Sequence, residues 1–162
     1  MPETERTNLE PISENDVAFL SEFYGSSINT KFIPAPSGSI SELVKKRIDH
    51  WDKYGFGTYI VKSKGTGCRI GYIGIEYIGT SMDADIRYGL VSEVWGKGLG
   101  LEVAKECLRL AISEFSLKKV WAATIPENIA SFRILQSIGM NPDPEFKHYG
   151  NEVVGYSYDV RK

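Results

Sequence analysis

Cysteine and histidine are scarce in this 162-residue chain, at two residues each. Cys68 and Cys107 lie far apart and form no CxxC or Cys/His ligand spacing, which argues against a zinc site or a disulfide framework and predicts two reduced, structural thiols. His50 and His148 belong to no recognisable catalytic triad. No stretch approaches the roughly 20 apolar residues of a membrane span. The opening Met1-Pro2-Glu3-Thr4-Glu5-Arg6 lacks the apolar core of a signal peptide, so no membrane partner is expected and the cytoplasm is the expected compartment. Charge of one sign is missing too: 19 basic residues face 21 acidic ones, a net charge of -2, without the basic excess that binding along a nucleic-acid backbone requires. Nucleic acid is not an expected partner.

What is present is the composition of one ordinary globular domain, 42% hydrophobic and 25% charged. Residues 7–11 read as a first strand. Ser13, with Glu14 and Asp16, reads as a helix start leading into Val17, Leu20 and Phe23 and ending near Gly25. Ser26 to Ser39 is an irregular, partly apolar loop holding Pro34 and Pro36, of the kind that shapes binding pockets. A second helix runs from about Ser41 to Tyr54, with Leu43, Val44, Ile48 and Trp51 at three- and four-residue steps. Strands follow at Thr58 to Lys62 and Arg69 to Ile78 around a Lys64-Gly65-Thr66-Gly67 turn, and at Ala84 to Val91. Gly98 to about Ser116 is strongly helical, with Ala104, Cys107, Leu108, Ala111 and Phe115 as its core stripe. A strand at Lys119 to Ile125, a helix from Ala130 to Ile138 ended by Gly139, and a hairpin of Glu145 to Tyr149 with Val153 to Arg161, turning at Gly150-Asn151, complete the expected order.

Between the strand ending at Val91 and the long helix lies Trp95-Gly96-Lys97-Gly98-Leu99-Gly100. Alternate glycines permit positive φ and close approach of a ligand to the backbone. The first turn of a helix offers unpaired N–H groups and the positive end of the macrodipole, a setting that attracts phosphate. The run has neither the GK[ST] ending of a Walker loop nor the spacing of a dinucleotide-binding fingerprint.

Together with Asp85-Ile86-Arg87-Tyr88-Gly89-Leu90 before it, and with Pro126-Glu127-Asn128-Ile129-Ala130-Ser131 and Ser137-Ile138-Gly139-Met140 after it, this turn resembles the GNAT N-acetyltransferase family. The Trp at the head of the motif, and the Asn-x-x-Ser segment, are similar to the branch that acetylates ribosomal-protein N-termini. Two departures stand out: Met140 where that branch has Phe, and Arg87 where it commonly has glycine. The resemblance covers about Thr7 to Tyr158. It implies an α/β single domain, a mixed, twisted, mostly antiparallel sheet with helices on both faces, that transfers an acetyl group from acetyl-CoA to a primary amine.

Residue by residue, the resemblance implies that Trp95, Gly96, Lys97, Gly98, Leu99 and Gly100 hold the cofactor phosphates. It implies that a backbone amide in the Leu90 to Val91 region faces the acetyl carbonyl, and that Asn128 contacts the pantetheine arm. Ser131 matches the hydroxyl that serves the departing sulfur, chiefly by hydrogen bonding. The tyrosine acid of many relatives is replaced by Leu135. Asp85 is the favoured base, acting through water, with Glu76 second; no metal is implied. Lys97 adds charge near the phosphates, Arg87 either occupies or reshapes the acceptor pocket, and Trp51 and Phe56 are candidates for the acceptor cleft or for the core. The expected acceptor is a protein N-terminus, whose α-amine titrates near 8 rather than near the 10.4 of lysine. The alternatives are a small amine such as a polyamine or aminoglycoside, or a noncatalytic CoA sensor. A second copy of the chain is the one macromolecular partner kept open, as a homodimer.

Overall fold

The computed structural model describes residues 1–162. One seven-stranded sheet runs in the order β1-β2-β3-β4-β5-β7-β6. Its strands are β1 (Thr7–Pro11), β2 (Thr58–Ser63), β3 (Arg69–Tyr77), β4 (Ala84–Leu90), β5 (Lys119–Thr124), β6 (Asn141–Pro142) and β7 (Val154–Asp159). All neighbours are antiparallel except β4 and β5, which are parallel. The expected mixed, mostly antiparallel sheet with helices on both faces is what the chain forms.

Strand alternation sends Tyr59, Val61, Ile73 and Ile75 to one face and Ile60 and Tyr72 to the other. On the first face lie α3 (Leu99–Ser113) and α4 (Ile129–Ser137), burying Val103, Ala104, Cys107, Ala111 and Leu135 in the larger core. On the second, α1 (Val17–Gly25) and α2 (Ile40–Tyr54) bury Leu20, Phe23 and Val44. Ser13 caps a short 3-10 turn ahead of α1 in a capping box with Asp16, and the Ser39 hydroxyl accepts the Glu42 N–H, starting α2 one residue earlier than its apolar spacing suggested. Trp51 and Phe56 are core rather than cleft: the Trp51 indole donates to the Thr58 carbonyl at 2.7 Å and packs on Tyr59, and Phe56 is buried. Cys107 is buried as expected, but Cys68 is exposed on the β2–β3 turn.

The final hairpin differs from its sequence reading. The partner of β7 is Asn141–Pro142, with Asn141 opposite Ser157, and residues 145–149 lie outside the sheet. Asp143 closes the ladder by donating its N–H to the Gly155 carbonyl at 2.8 Å. Pro144 then lacks a donor, and Tyr149 takes a left-handed φ of 65°, which no strand tolerates. Phe146 folds across Gly155, where a Cβ would collide with its ring. Phe146 therefore covers the end of the sheet, packed on Gly155 and Trp121, and residues 145–149 do not extend it.

The functional geometry begins at one defect of pairing. β4 pairs with β3 along its whole length, but with β5 only at Asp85 opposite Trp121. Beyond Asp85 the two parallel strands diverge, and the edge of β4 from Ile86 to Leu90 opens into space.

Candidate active site

Two cavities occupy that divergence. The first, about 420 Å³, lies at the mouth of the glycine turn and the start of α3; the second, about 580 Å³, lies on the α1–α2 side. They share five lining residues: Phe32, Ile33, Tyr88, Asn128 and Ser131. At this seam Tyr88 Oη and Ser131 Oγ are 2.9 Å apart in a hydrogen bond. Asn128 forms the seam because its Oδ1 accepts the Ser131 N–H at 3.1 Å as the N-cap of α4. With that N–H capped, the Ser131 hydroxyl is not spent on its own helix and turns to Tyr88.

The first cavity has the features of a phosphate site. Gly96 and Gly98 both have positive φ, 75° and 79°, whereas Gly100 does not. Gly98 caps α3 without any side-chain bond, and the first N–H of the helix to find a carbonyl is that of Glu102, which donates to Gly98. The N–H groups of Leu99, Gly100 and Leu101 are left without protein partners at the positive end of a 15-residue helix. A Cβ on Gly100 would meet Ile134 at 2.9 Å, so this glycine lets α3 and α4 approach. The Trp95 indole donates to the Leu90 carbonyl at 2.8 Å, tying the head of the turn to the end of β4. Lys31 and Arg133 add cations to the wall, a contribution no motif in the sequence disclosed. These donors fit a pyrophosphate.

Of the predicted cofactor residues, Leu90, Trp95, Gly96, Gly98, Leu99, Gly100 and Asn128 line this cavity, while Val91 and Lys97 do not. The Val91 N–H is already spent on the Ile70 carbonyl at 2.9 Å. Because N–H directions alternate along a strand, that bond turns the Leu90 N–H away from β3, toward the divergence. Lys97 is exposed, and its carbonyl accepts from Arg6, whose Nε is 2.9 Å from Glu102. The loop of residues 26–39 is fixed by Asn29, whose Oδ1 accepts the Ser92 N–H at 2.8 Å. Gly89 makes its close approach possible: a Cβ there would meet Ile33 and Phe23 at 2.9 Å. The loop shapes both cavities, as its composition suggested.

The second cavity holds a chain of charges. Asp85 Oδ1 accepts from Arg87 Nε at 2.8 Å, and its Oδ2 accepts from the Tyr149 hydroxyl at 2.7 Å. Glu76 accepts from Thr58 at 2.9 Å and pairs with Arg47 at 3.3 Å and with Arg87 at 3.4 Å. Burial raises the Asp85 carboxyl above its ordinary range, and Arg87 and Tyr149 pull against that shift. Desolvation works against the Arg87 charge, but Asp85, Tyr149 and Glu76 more than offset it and hold the guanidinium protonated. Glu76 faces its arginines and does not line the cavity. Tyr88 is raised above its usual value by burial, with the Ser131 bond opposing. Tyr88 was missed in the sequence because it reads there as one apolar member of an alternating strand, and nothing local marks its hydroxyl as meeting Ser131, 43 residues on.

His50 and His148 take no part. His50 Nδ1 donates to the Phe56 carbonyl at 2.8 Å and Nε2 accepts the Tyr77 N–H at 3.0 Å, an arrangement that stitches α2 to the sheet. His148 lies 2.9 Å from Asp83.

Comparison with known proteins gives the family and the fold. A family model described as an acetyltransferase (GNAT) domain matches residues 6–141. A Bacillus subtilis protein, YkkB, is 30% identical over 105 residues, 64% of this chain and 61% of that protein, so this chain spans less than two thirds of that relative's length. Among solved structures, an acetyltransferase from Agrobacterium tumefaciens superposes with a TM-score of 0.87 at 23% identity, covering 98% of this chain and 94% of that one. A spermidine N-acetyltransferase from Vibrio cholerae, solved with CoA and spermine, superposes at 0.77 and 17% identity, covering 96% of each chain. A ribosomal-protein-S5-alanine acetyltransferase from Vibrio fischeri superposes at 0.76 and 18%, covering 98% and 96%. These likenesses show a common fold.

Proposed function

Because this chain belongs to the GNAT acetyltransferase family, whose members use acetyl-CoA, we propose that it transfers an acetyl group from acetyl-CoA to a primary amine across the Tyr88–Ser131 seam. The observation that carries this reading is a pair of hydroxyls lying between a phosphate-type cavity and a separate polar cavity. Acetyl-CoA, when bound, supplies an activated acetyl thioester.

The residues divide the work by position. The unpaired N–H groups of Leu99, Gly100 and Leu101 bind phosphate, assisted by Lys31 and Arg133. The Leu90 N–H donates to the acetyl oxygen as negative charge develops there. Tyr88 and Ser131 hydrogen-bond the leaving sulfur. A thiol of ordinary pKa near 8.5 is a stronger acid than tyrosine near 10, so full proton transfer from Tyr88 would be uphill by roughly 2 kcal/mol. The burial-raised Tyr88 makes it more so. The pair therefore stabilises a thiolate by donation rather than by giving up a proton.

The amine enters the second cavity as an ammonium. One proton passes to Asp85 Oδ2 through the Tyr149 hydroxyl, which gives its own proton to the carboxylate as it takes one from nitrogen. The raised affinity of Asp85 for a proton suits it to this task. The C–N bond forms, the C–S bond breaks, and the second nitrogen proton ends on sulfur. The sum is amide, free thiol and one proton released to water.

Acceptor chemistry follows from charge. A polyamine site calls for uncompensated carboxylates, and here Asp85 and Glu76 are each paired with a guanidinium. An α-amine, such as a peptide N-terminus, suits the cavity better, and its lower pKa leaves more neutral amine at pH 7. Thiol release from acetyl-CoA across a panel of peptides and small amines tests the reading, with CoA binding measured in parallel by calorimetry. Turnover on at least one amine is expected. Tight CoA binding with no turnover on any acceptor would instead identify a noncatalytic CoA sensor.

A further inference from the structure

Resting on that reading, we infer that the second cavity selects an acceptor amine that also carries a carboxylate, which Arg87 binds. Four charged side chains, Arg47, Glu76, Asp85 and Arg87, form one linked group, but they are not equally covered. The side chains of Asp85, Glu76 and Arg47 are 2%, 9% and 9% exposed, whereas that of Arg87 is 31% exposed on the cavity wall. A ligand entering the cavity therefore meets the guanidinium first: Glu76 does not line the cavity, and Asp85 on its wall is covered by Arg87 and the Tyr149 hydroxyl. Arg87 Nε and Nη1 are engaged by Asp85 and Glu76, while Nη2 makes no hydrogen bond to either carboxylate. A planar guanidinium oriented by two carboxylates presents its remaining N–H edge in a fixed direction, which suits an incoming carboxylate and repels a second cation.

The rest of the wall supports the same polarity. Tyr24, Phe32, Ile33 and Pro36 contribute aromatic and aliphatic surface, and the one other carboxylate lining the cavity, Glu152, is exposed at its rim on the 150–153 turn. Arg87 is one residue from Tyr88, on the opposite face of β4. Arg87, Tyr88 and Ser131 nevertheless line the same cavity, so an amine directed at the Tyr88–Ser131 seam shares that space with the guanidinium. The required chemistry, an amine and a carboxylate a few atoms apart, is found in a free amino acid and in a peptide whose first residue is Asp or Glu.

The test compares matched acid and amide acceptors by acetyl-CoA-dependent thiol release: β-alanine against β-alaninamide, glutamate against glutamine amide, and an Asp-Ala peptide amide against its Asn-Ala counterpart, with spermidine alongside. We expect the acid of each small-molecule pair to exceed its amide roughly tenfold or more in kcat/KM, mainly through KM. Spermidine is expected to be a poor acceptor. A preference confined to the peptide pair assigns the carboxylate to an acidic first residue, and one confined to the small molecules assigns it to a free amino acid. Arg87→Gln should collapse the acid-to-amide ratio toward one, while Arg87→Lys should retain part of it. Equal rates for acids and amides, faster acetylation of spermidine, or an unchanged ratio in Arg87→Gln would overturn the inference and leave acetyl transfer intact. No thiol release with any acceptor would overturn both.

Discussion

Replacing Tyr88 by Phe removes a single oxygen from the seam between the two cavities. Its one hydrogen-bond partner is Ser131 Oγ at 2.9 Å, and the half-buried serine can find water instead, so the cost to folding should stay below about 1 kcal/mol. The cost to the chemical step is larger, because the bond that matters is to a sulfur gaining negative charge. A hydrogen bond to a charged group contributes about 1.5–3 kcal/mol, or roughly tenfold to 150-fold in rate. Single-turnover acetyl transfer with saturating acetyl-CoA should slow by that factor while CoA affinity, measured by calorimetry, changes little. Ser131→Ala should slow the same step. The double variant should lose less than the sum of the two, because the hydroxyls act as one donor unit. The sign of the pH dependence follows as well. Burial raises Tyr88, so its neutral, donating form persists to higher pH than that of an ordinary tyrosine and any descending limb of the chemical rate from its ionisation should be displaced upward accordingly. A single-turnover rate for Tyr88→Phe within twofold of wild type would refute the role assigned to this hydroxyl.

Two other substitutions probe separate parts of the structure. Gly98→Asp places a side chain at φ 79° beside the free N–H groups of α3, and should cost about 1 kcal/mol in stability and abolish acetyl-CoA binding through bulk and negative charge; unchanged affinity by calorimetry would count against the phosphate site. His50→Ala strands the Phe56 carbonyl and the Tyr77 N–H, and should lower unfolding free energy by about 2–4 kcal/mol in denaturant titration with single-turnover rates preserved, as befits a structural residue.

Much of the fold was legible in spacing. The period-two runs of β2 to β4, the three- and four-residue steps of α2 and α3, and the caps at Ser13 and Gly139 depend on local physics that a window of a dozen residues contains. The final hairpin was not. Residues 145–149 read as a strand, yet Asn141–Pro142 took the place beside β7, with Pro144 ending the ladder and Phe146 packed over Gly155. Trp51 and Phe56 were ambiguous between cleft and core for a related reason. An aromatic ring reads alike in either place until its neighbours are known.

The candidate site divides along the same line. The sequence by itself determined the proposed phosphate cradle, since glycines at positive φ and the unpaired amides of a helix start are properties of one continuous segment, Trp95 to Leu101. Only the tertiary structure decided the chemistry beside it. Tyr88 and Ser131 stand 43 residues apart, on a strand and a helix that meet because β4 and β5 part after one registered pair. The same parting exposes the Leu90 amide while β3 consumes that of Val91, and it sets Arg87, bound to Asp85 and Glu76, on the wall of the second cavity. Which backbone donors stay free, and which charges stay uncovered, depends on where strands separate, and strand separation is decided by packing between distant elements rather than by any local run of residues.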